Sequence, residues 1–188
     1  VLLQLAGCAA PEPRLLKIGD VESEARAGVL WPSPPEVPRY RYQGQLLGEI
    51  NYRAGQPLES RWSMLARAIT GIDSARADPM TLQRPQSGVT DRNGRILVTD
   101  ASRGAVAVFA PAGGVDFWEQ ARGVRKFVSP IGIAASEDGL VWVVDAELGE
   151  VFVLGPAGEP QRSFGAGTFK RPTGIALDEA RRHVYVAD

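Results

Sequence analysis

Few side chains in this chain are equipped to act as nucleophile, base or metal ligand. There is one cysteine, Cys8, and one histidine, His183, at opposite ends of the sequence. A lone thiol closes no internal disulfide, and one thiol with one distant imidazole fits no zinc or copper spacing. No metal and no cofactor are therefore expected. His183 is the available imidazole base, but it opens an apolar strand beside Arg182, which suits a wet strand end better than catalysis. Neither a Gly-rich phosphate loop nor a nucleophile elbow is present. The remaining candidates are acidic and basic. Asp100, Asp145 and Asp188 each close an apolar run and are expected to be turn carboxylates that accept backbone N–H bonds. Arg84, Lys126, Lys170 and Arg171 cluster just before prolines on loops, and are the candidate ligand contacts.

These residues must be positioned by a repeat. Shifting the sequence by 45 residues superposes Pro85 on Pro130, Asn93-Gly94 on Asp138-Gly139, Asp100 and Gly104 on Asp145 and Gly149, and Pro111-Ala112-Gly113 on Pro156-Ala157-Gly158. The apolar runs between them coincide too, Ile96-Leu97-Val98 with Val141-Trp142-Val143. A third copy runs from Pro172 to Asp188. Several short β runs per unit, at a period in the forties, are the mark of a propeller blade. Asn-Gly and Asp-Gly close a tight hairpin between the first two strands. Asp, then Gly four residues on, turns the second into the third, and Pro-Ala-Gly turns the third into the fourth. The expected fold is all-β, a β-propeller of four-stranded antiparallel blades.

An internal repeat separates scaffold from site. Leu82, Phe127 and Phe169 recur as apolar residues ahead of the proline and are expected in the inter-blade core. Arg84 and Arg171 share a slot that holds Ser129 in the middle copy. The innermost-strand openings, Ser87-Gly88, Ile131-Gly132 and Thr173-Gly174, are small or apolar and offer no general base.

Ahead of the repeats, residues 9–40 are rich in proline. Trp31 to Pro38 reads as an extended polyproline spacer, although a Pro-rich stretch also suits SH3 or WW ligands. Tyr40 to Gly48 reads as a strand. In residues 60–71, Trp62, Leu65, Ala66 and Ile69 fall on one helical face and Gly71 follows as a stop. That predicts a short helix packed on the propeller.

Two resemblances add to this. Phe127-Val128-Ser129-Pro130-Ile131-Gly132-Ile133-Ala134 followed by Asp138-Gly139-Leu140-Val141-Trp142-Val143-Val144-Asp145 resembles an NHL repeat. So does Phe169-Lys170-Arg171-Pro172-Thr173-Gly174-Ile175-Ala176-Leu177-Asp178 followed by Val184-Tyr185-Val186-Ala187-Asp188. The match covers residues 82–188. The first copy is looser, with Pro85-Gln86-Ser87-Gly88, and the third replaces its Asp-Gly with Glu179-Ala180-Arg181-Arg182. NHL propellers usually have six blades, and about two and a half are present, so the resemblance implies a fragment with more blades beyond residue 188.

Leu5-Ala6-Gly7-Cys8, at the end of a short apolar run, resembles the lipobox of bacterial lipoproteins. That implies cleavage before Cys8 and acylation of its thiol, with residues 1–8 as leader remnant and lipobox. Ala9 in place of Asp implies export to the outer membrane, with the protein lipid-anchored on the periplasmic side of the cell envelope. The function expected is a binding or scaffold module for a protein, peptide or glycan. The alternative is a lactonase-like propeller hydrolase or lyase with its active site in further blades. Nucleic acid is not an expected partner, because 21 basic and 22 acidic residues leave a net charge of −1 and no basic field. No run of about 18 apolar residues marks a spanning helix.

Overall fold

The computed structural model describes residues 14–18, 28–52 and 80–188. Its strands, in chain order, are β1 (Leu30–Trp31), β2 (Tyr40–Arg41), β3 (Pro85–Thr90), β4 (Ile96–Asp100), β5 (Ala105–Phe109), β6 (Val115–Trp118), β7 (Gln120–Arg122), β8 (Arg125–Lys126), β9 (Pro130–Ala135), β10 (Val141–Asp145), β11 (Glu150–Leu154), β12 (Pro160–Phe164), β13 (Gly174–Asp178) and β14 (His183–Ala187). A 3₁₀ turn spans Glu49–Tyr52.

The repeat folds as two four-stranded antiparallel sheets, β3-β4-β5-β6 and β9-β10-β11-β12, and a two-stranded sheet, β13-β14. β9 lies between β3 and β13 and contacts both along one edge of the array, so each sheet presents its first strand inward and stands as a propeller blade. The turn chemistry explains the order. Gly94 and Gly139 take positive φ, 72° and 89°, in the first hairpin of each blade. The matching residue of the third blade is Arg182, which takes φ 55° without being glycine.

Blade packs on blade through alternate side chains. Leu97, Val106, Val108 and Trp118 of the first blade meet Ile133, Val141, Val143, Phe152 and Leu154 of the second. Phe127 seals the gap, its ring edge-on to Phe152 at 5.6 Å. Phe169 occupies the corresponding place one blade on, its ring lying against Gly165 and its carbonyl over Gly149. Near the inner edge the contact becomes polar and close. The fully buried Thr99 donates its hydroxyl to the Ile131 carbonyl of the next blade at 2.7 Å. An ideal Cβ on Gly132 would lie 2.9 Å from the Thr173 carbonyl, so no side chain fits between β9 and β13 there.

The other face of the first blade, Ile96, Val98, Ala107, Phe109, Val115 and Phe117, is covered by Leu16, Leu46, Tyr52 and Leu82. Hydrogen bonds hold this cover down. Leu16 N–H donates to Pro111 O at 3.0 Å, and the Tyr52 hydroxyl donates to Ala110 O at 2.6 Å. Asn51 ties the cover to itself, its amide donating to the carbonyls of Lys17 and Gln45 and accepting from Leu47 and Gly48.

Trp31 to Pro38 is not an extended spacer: β1 pairs with β2, Trp31 opposite Tyr40, and the proline run is the loop of that hairpin. Local polyproline preference has given way because Arg39 N–H reaches Trp31 O at 2.7 Å and Tyr42 N–H reaches Val29 O at 3.0 Å. The strand expected over residues 40–48 is only Tyr40–Arg41 long; beyond it the chain turns into the 3₁₀ segment that caps the first blade. The β7–β8 hairpin, inserted between the first two blades, has no counterpart in the repeat pattern. The helix expected over residues 60–71 and the lipobox with Cys8 lie outside the described residues.

Candidate functional site

Each blade is entered by a loop that leads into its innermost strand, and each such loop is held by an aspartate at the end of the second strand. Asp100, fully buried, accepts Gln83 N–H at 2.6 Å and Arg84 N–H at 3.0 Å, and Arg103 N–H from its own turn at 3.1 Å. Asp145, also fully buried, accepts Val128 N–H at 2.8 Å and Ser129 N–H at 3.0 Å, then Glu147 and Leu148 from its own turn. Asp188 accepts Lys170 N–H at 3.0 Å and Arg171 N–H at 2.6 Å. Those backbone donors hold the Asp188 carboxyl below the ordinary aspartate range. In each case one carboxylate satisfies donors that no ladder reaches. The reach back to the loop some sixteen residues earlier is not visible in the spacing alone.

The basic candidates separate under this geometry. Arg84, Lys170 and Arg171 ride on the pinned lead-in loops, with exposed side chains. Arg171 lies 3.4 Å from Glu147 across an exposed gap, a contact worth little in water. Lys126 does not join them. Its ammonium pairs with Glu119 and borders a cleft of about 450 Å³ between Trp118 and the Ala157-Gly158-Glu159 turn. The lead-in loops thus bring together Lys170 and Arg171, place Arg84 at the same end of its own blade, and leave Lys126 elsewhere.

His183 is exposed, edge-on to Tyr185 at 6.2 Å. It borders a cleft of about 310 Å³ with Asp138 and Asp178. Both carboxylates are engaged by other groups, Asp138 by the Ser136 hydroxyl and Asp178 by Arg181 at 2.8 Å. No acid–base pair with the imidazole is formed among the described residues. Nor do the described residues hold a group of three or more His, Cys, Asp or Glu placed to bind a metal.

Two charged contacts escaped the sequence reading. Arg103 stacks over Phe117 at 4.5 Å and donates to Thr81 O at 3.0 Å, so it clamps the first lead-in loop. Arg125 pairs with the buried Glu150 at 2.6 Å, joining the inserted hairpin to the second blade. Both break the internal symmetry: Arg103 stands where the second copy has Leu148, and Glu150 where the first has Ala105. That break is the signal that would have found them.

The fold defined by these blades is a β-propeller, with two complete blades and two strands of a third among the described residues. Solved structures similar to the chain include a streptogramin B lyase (TM-score 0.48, 14% identity, covering 55% of this chain and 33% of that one). A virginiamycin B lyase from Staphylococcus aureus matches with TM-score 0.42 at 17% identity, over 53% of this chain and 36% of that one. A hydrazine synthase from Kuenenia stuttgartiensis matches with TM-score 0.45 at 19% identity, over 62% of this chain and 32% of that one. The chain spans about a third of the length of each of these structures. No protein-family model matches it, and no curated protein matches it.

Proposed function

We propose that this chain is part of an NHL-type propeller, acylated at Cys8 and lipid-anchored on the periplasmic side of the outer membrane, that binds a protein, peptide or glycan of the cell envelope. The observation that carries the binding role is the pinning of the lead-in loops. Arg84, Lys170 and Arg171 present exposed cationic ends on backbone held by Asp100 and Asp188. An anionic ligand meeting such a rim finds a scaffold already ordered, so little entropy is lost on binding. Further blades would carry the same loops around the ring. The acylation reading rests on Leu5-Ala6-Gly7-Cys8, and the NHL reading on the residues quoted from the second and third copies.

Two experiments test this. The acylated protein, immobilised from detergent extract, should retain a discrete envelope partner. Arg84→Glu with Arg171→Glu should weaken that retention by at least about ten-fold. An unchanged retained set would remove the rim from consideration. Acylation is read directly, as the mass of the mature N-terminus or as incorporation of labelled fatty acid. Cys8→Ser should abolish both, and a chain that never acquires the acyl mass overturns the anchor.

A further inference from the structure

Among the described residues the β1–β2 hairpin stands apart from the propeller: β1 and β2 pair only with each other, and no residue from 28 to 42 belongs to either core cluster. It is nevertheless rich in apolar surface. Trp31 is 47% exposed, Tyr40 70% and Val37, near the loop tip, 81%. Trp31 and Tyr40 sit directly opposite each other, so their side chains share one face. Val29 and Tyr42 extend the pairing, joined by the Tyr42 N–H to Val29 O bond, and the period of two puts them on that same face. Tyr42 packs edge-on to Trp31 at 6.5 Å. The flanking positions are Arg39 and Arg41, both exposed, and with Glu36 they leave the hairpin one net positive charge.

We infer that this hairpin is a membrane-contact element, laying its Trp31–Tyr40 face into the interface of a bilayer that contains anionic phospholipid. A Trp–Tyr pair with apolar neighbours suits the headgroup level, where amphipathic rings partition. Arg39 and Arg41 alternate with Tyr40 and Tyr42 and so lie on the opposite face, from which their long side chains supply charge complementary to anionic headgroups around the hairpin. An exposed apolar patch of this kind on an isolated hairpin is otherwise unfavourable in water. The inference rests on the lipid-anchor reading for its location. Arg14, held to the first blade through its carbonyl and Gly113 N–H, is six residues from Cys8, at most about 20 Å of extended chain. An acylated Cys8 therefore keeps the body at the bilayer surface.

The test uses the full chain carrying Cys8→Ser, so that binding owes nothing to acylation. Vesicles of phosphatidylethanolamine with phosphatidylglycerol, mixed with it at low salt, should co-sediment the protein. Trp31→Ser with Tyr40→Ser should weaken partition by about ten-fold, and Val37→Ser, at the loop tip, by a smaller factor. Arg39→Glu with Arg41→Glu should weaken it on anionic vesicles and leave it unchanged on vesicles without phosphatidylglycerol. Melting should be the same for the three hairpin variants as for the Cys8→Ser chain, since none of the hairpin residues changed belongs to a core cluster. Failure of the Cys8→Ser chain to bind, or equal binding by the Trp31/Tyr40 variant, overturns the inference while the acyl mass on Cys8 still decides the anchor. So does a hairpin variant that keeps vesicle binding yet loses capture of a protein, which would make the face a protein contact instead.

Discussion

The Ser129 backbone N–H donates to the Asp145 carboxylate at 3.0 Å, across sixteen residues of sequence. Val128 joins it at 2.8 Å, and Glu147 and Leu148 approach from the other side. A single buried side chain therefore fastens the loop into the second blade, the end of β10 and the turn into β11. Asp145→Ala should lower unfolding free energy by about 3 kcal/mol, because buried donors lose their acceptor without gaining water. Asp145→Asn keeps one acceptor oxygen and should lose less. Urea unfolding followed by circular dichroism measures both, and a change of less than about 1 kcal/mol for Asp145→Ala would show that the loop is held by other contacts.

Thr99 performs a smaller version of the same task between blades. Its hydroxyl donates to Ile131 O at 2.7 Å and accepts Ser87 N–H at 3.1 Å. Thr99→Val preserves shape and removes both bonds, so a loss of about 1–2 kcal/mol is expected. Amide exchange at Ser87 should quicken in parallel.

Gly132→Ala examines how tightly the inner strands approach. The new methyl would meet the Thr173 carbonyl at 2.9 Å and Gly174 Cα at 3.2 Å, both backbone atoms that cannot turn aside. Overpacking of this kind should cost about 1–3 kcal/mol. Gly114→Ala, which meets nothing within 4 Å, is the matched control and should leave the melting temperature nearly unchanged.

Arg182 occupies, at φ 55°, the turn position that glycine fills in the first two blades. A side-chain Cβ is unfavourable there by about 1–2 kcal/mol, while glycine adds some freedom to the unfolded chain. Arg182→Gly should therefore stabilise the protein by about 0.5–1 kcal/mol, seen as a higher melting temperature. A lower melting temperature would show that the arginine side chain contributes more than its backbone strain removes.

The cap on the first blade should loosen at high pH. Burial pushes the Tyr52 phenol up to about 12, so the folded state keeps its proton more tightly than the unfolded chain. The resulting stability is fully present below the ordinary tyrosine value near 10 and is lost as pH rises from there through about 12. Subtracting the melting curves of Tyr52→Phe, which cannot titrate at that position, isolates the effect. If the two proteins lose stability identically between pH 10 and pH 12, the phenol is not what the cap buries.

Strands and turns of the blades were legible because their signals are local and repeated. Asn93-Gly94, Asp138-Gly139 and the two Pro-Ala-Gly turns lie where the shift by 45 residues places them, and each hairpin closes on a residue able to take its backbone angle. The internal comparison also separated Asp100 and Asp145, which repeat, from Arg84 and Arg171, which alternate with Ser129. Arg103 and Glu150 depart from that symmetry just as visibly, facing Leu148 and Ala105 in the other copy. The Pro-rich segment misled for a different reason: proline composition reports a residue's own conformational preference and says nothing of a partner strand arriving nine residues later.

Period, turn type and the apolar face of each strand are properties of neighbouring residues, and the amino-acid order alone was enough to determine them. The tertiary structure decided the rest: that the Asp145 carboxylate turns back to Ser129, that Thr99 bridges two blades, that Leu16 and Tyr52 cover the first blade, and that Lys126 pairs with Glu119 instead. Each of those depends on surfaces brought together from distant parts of the chain. Their free energy comes from burial and hydrogen-bond satisfaction, which no short window of sequence contains.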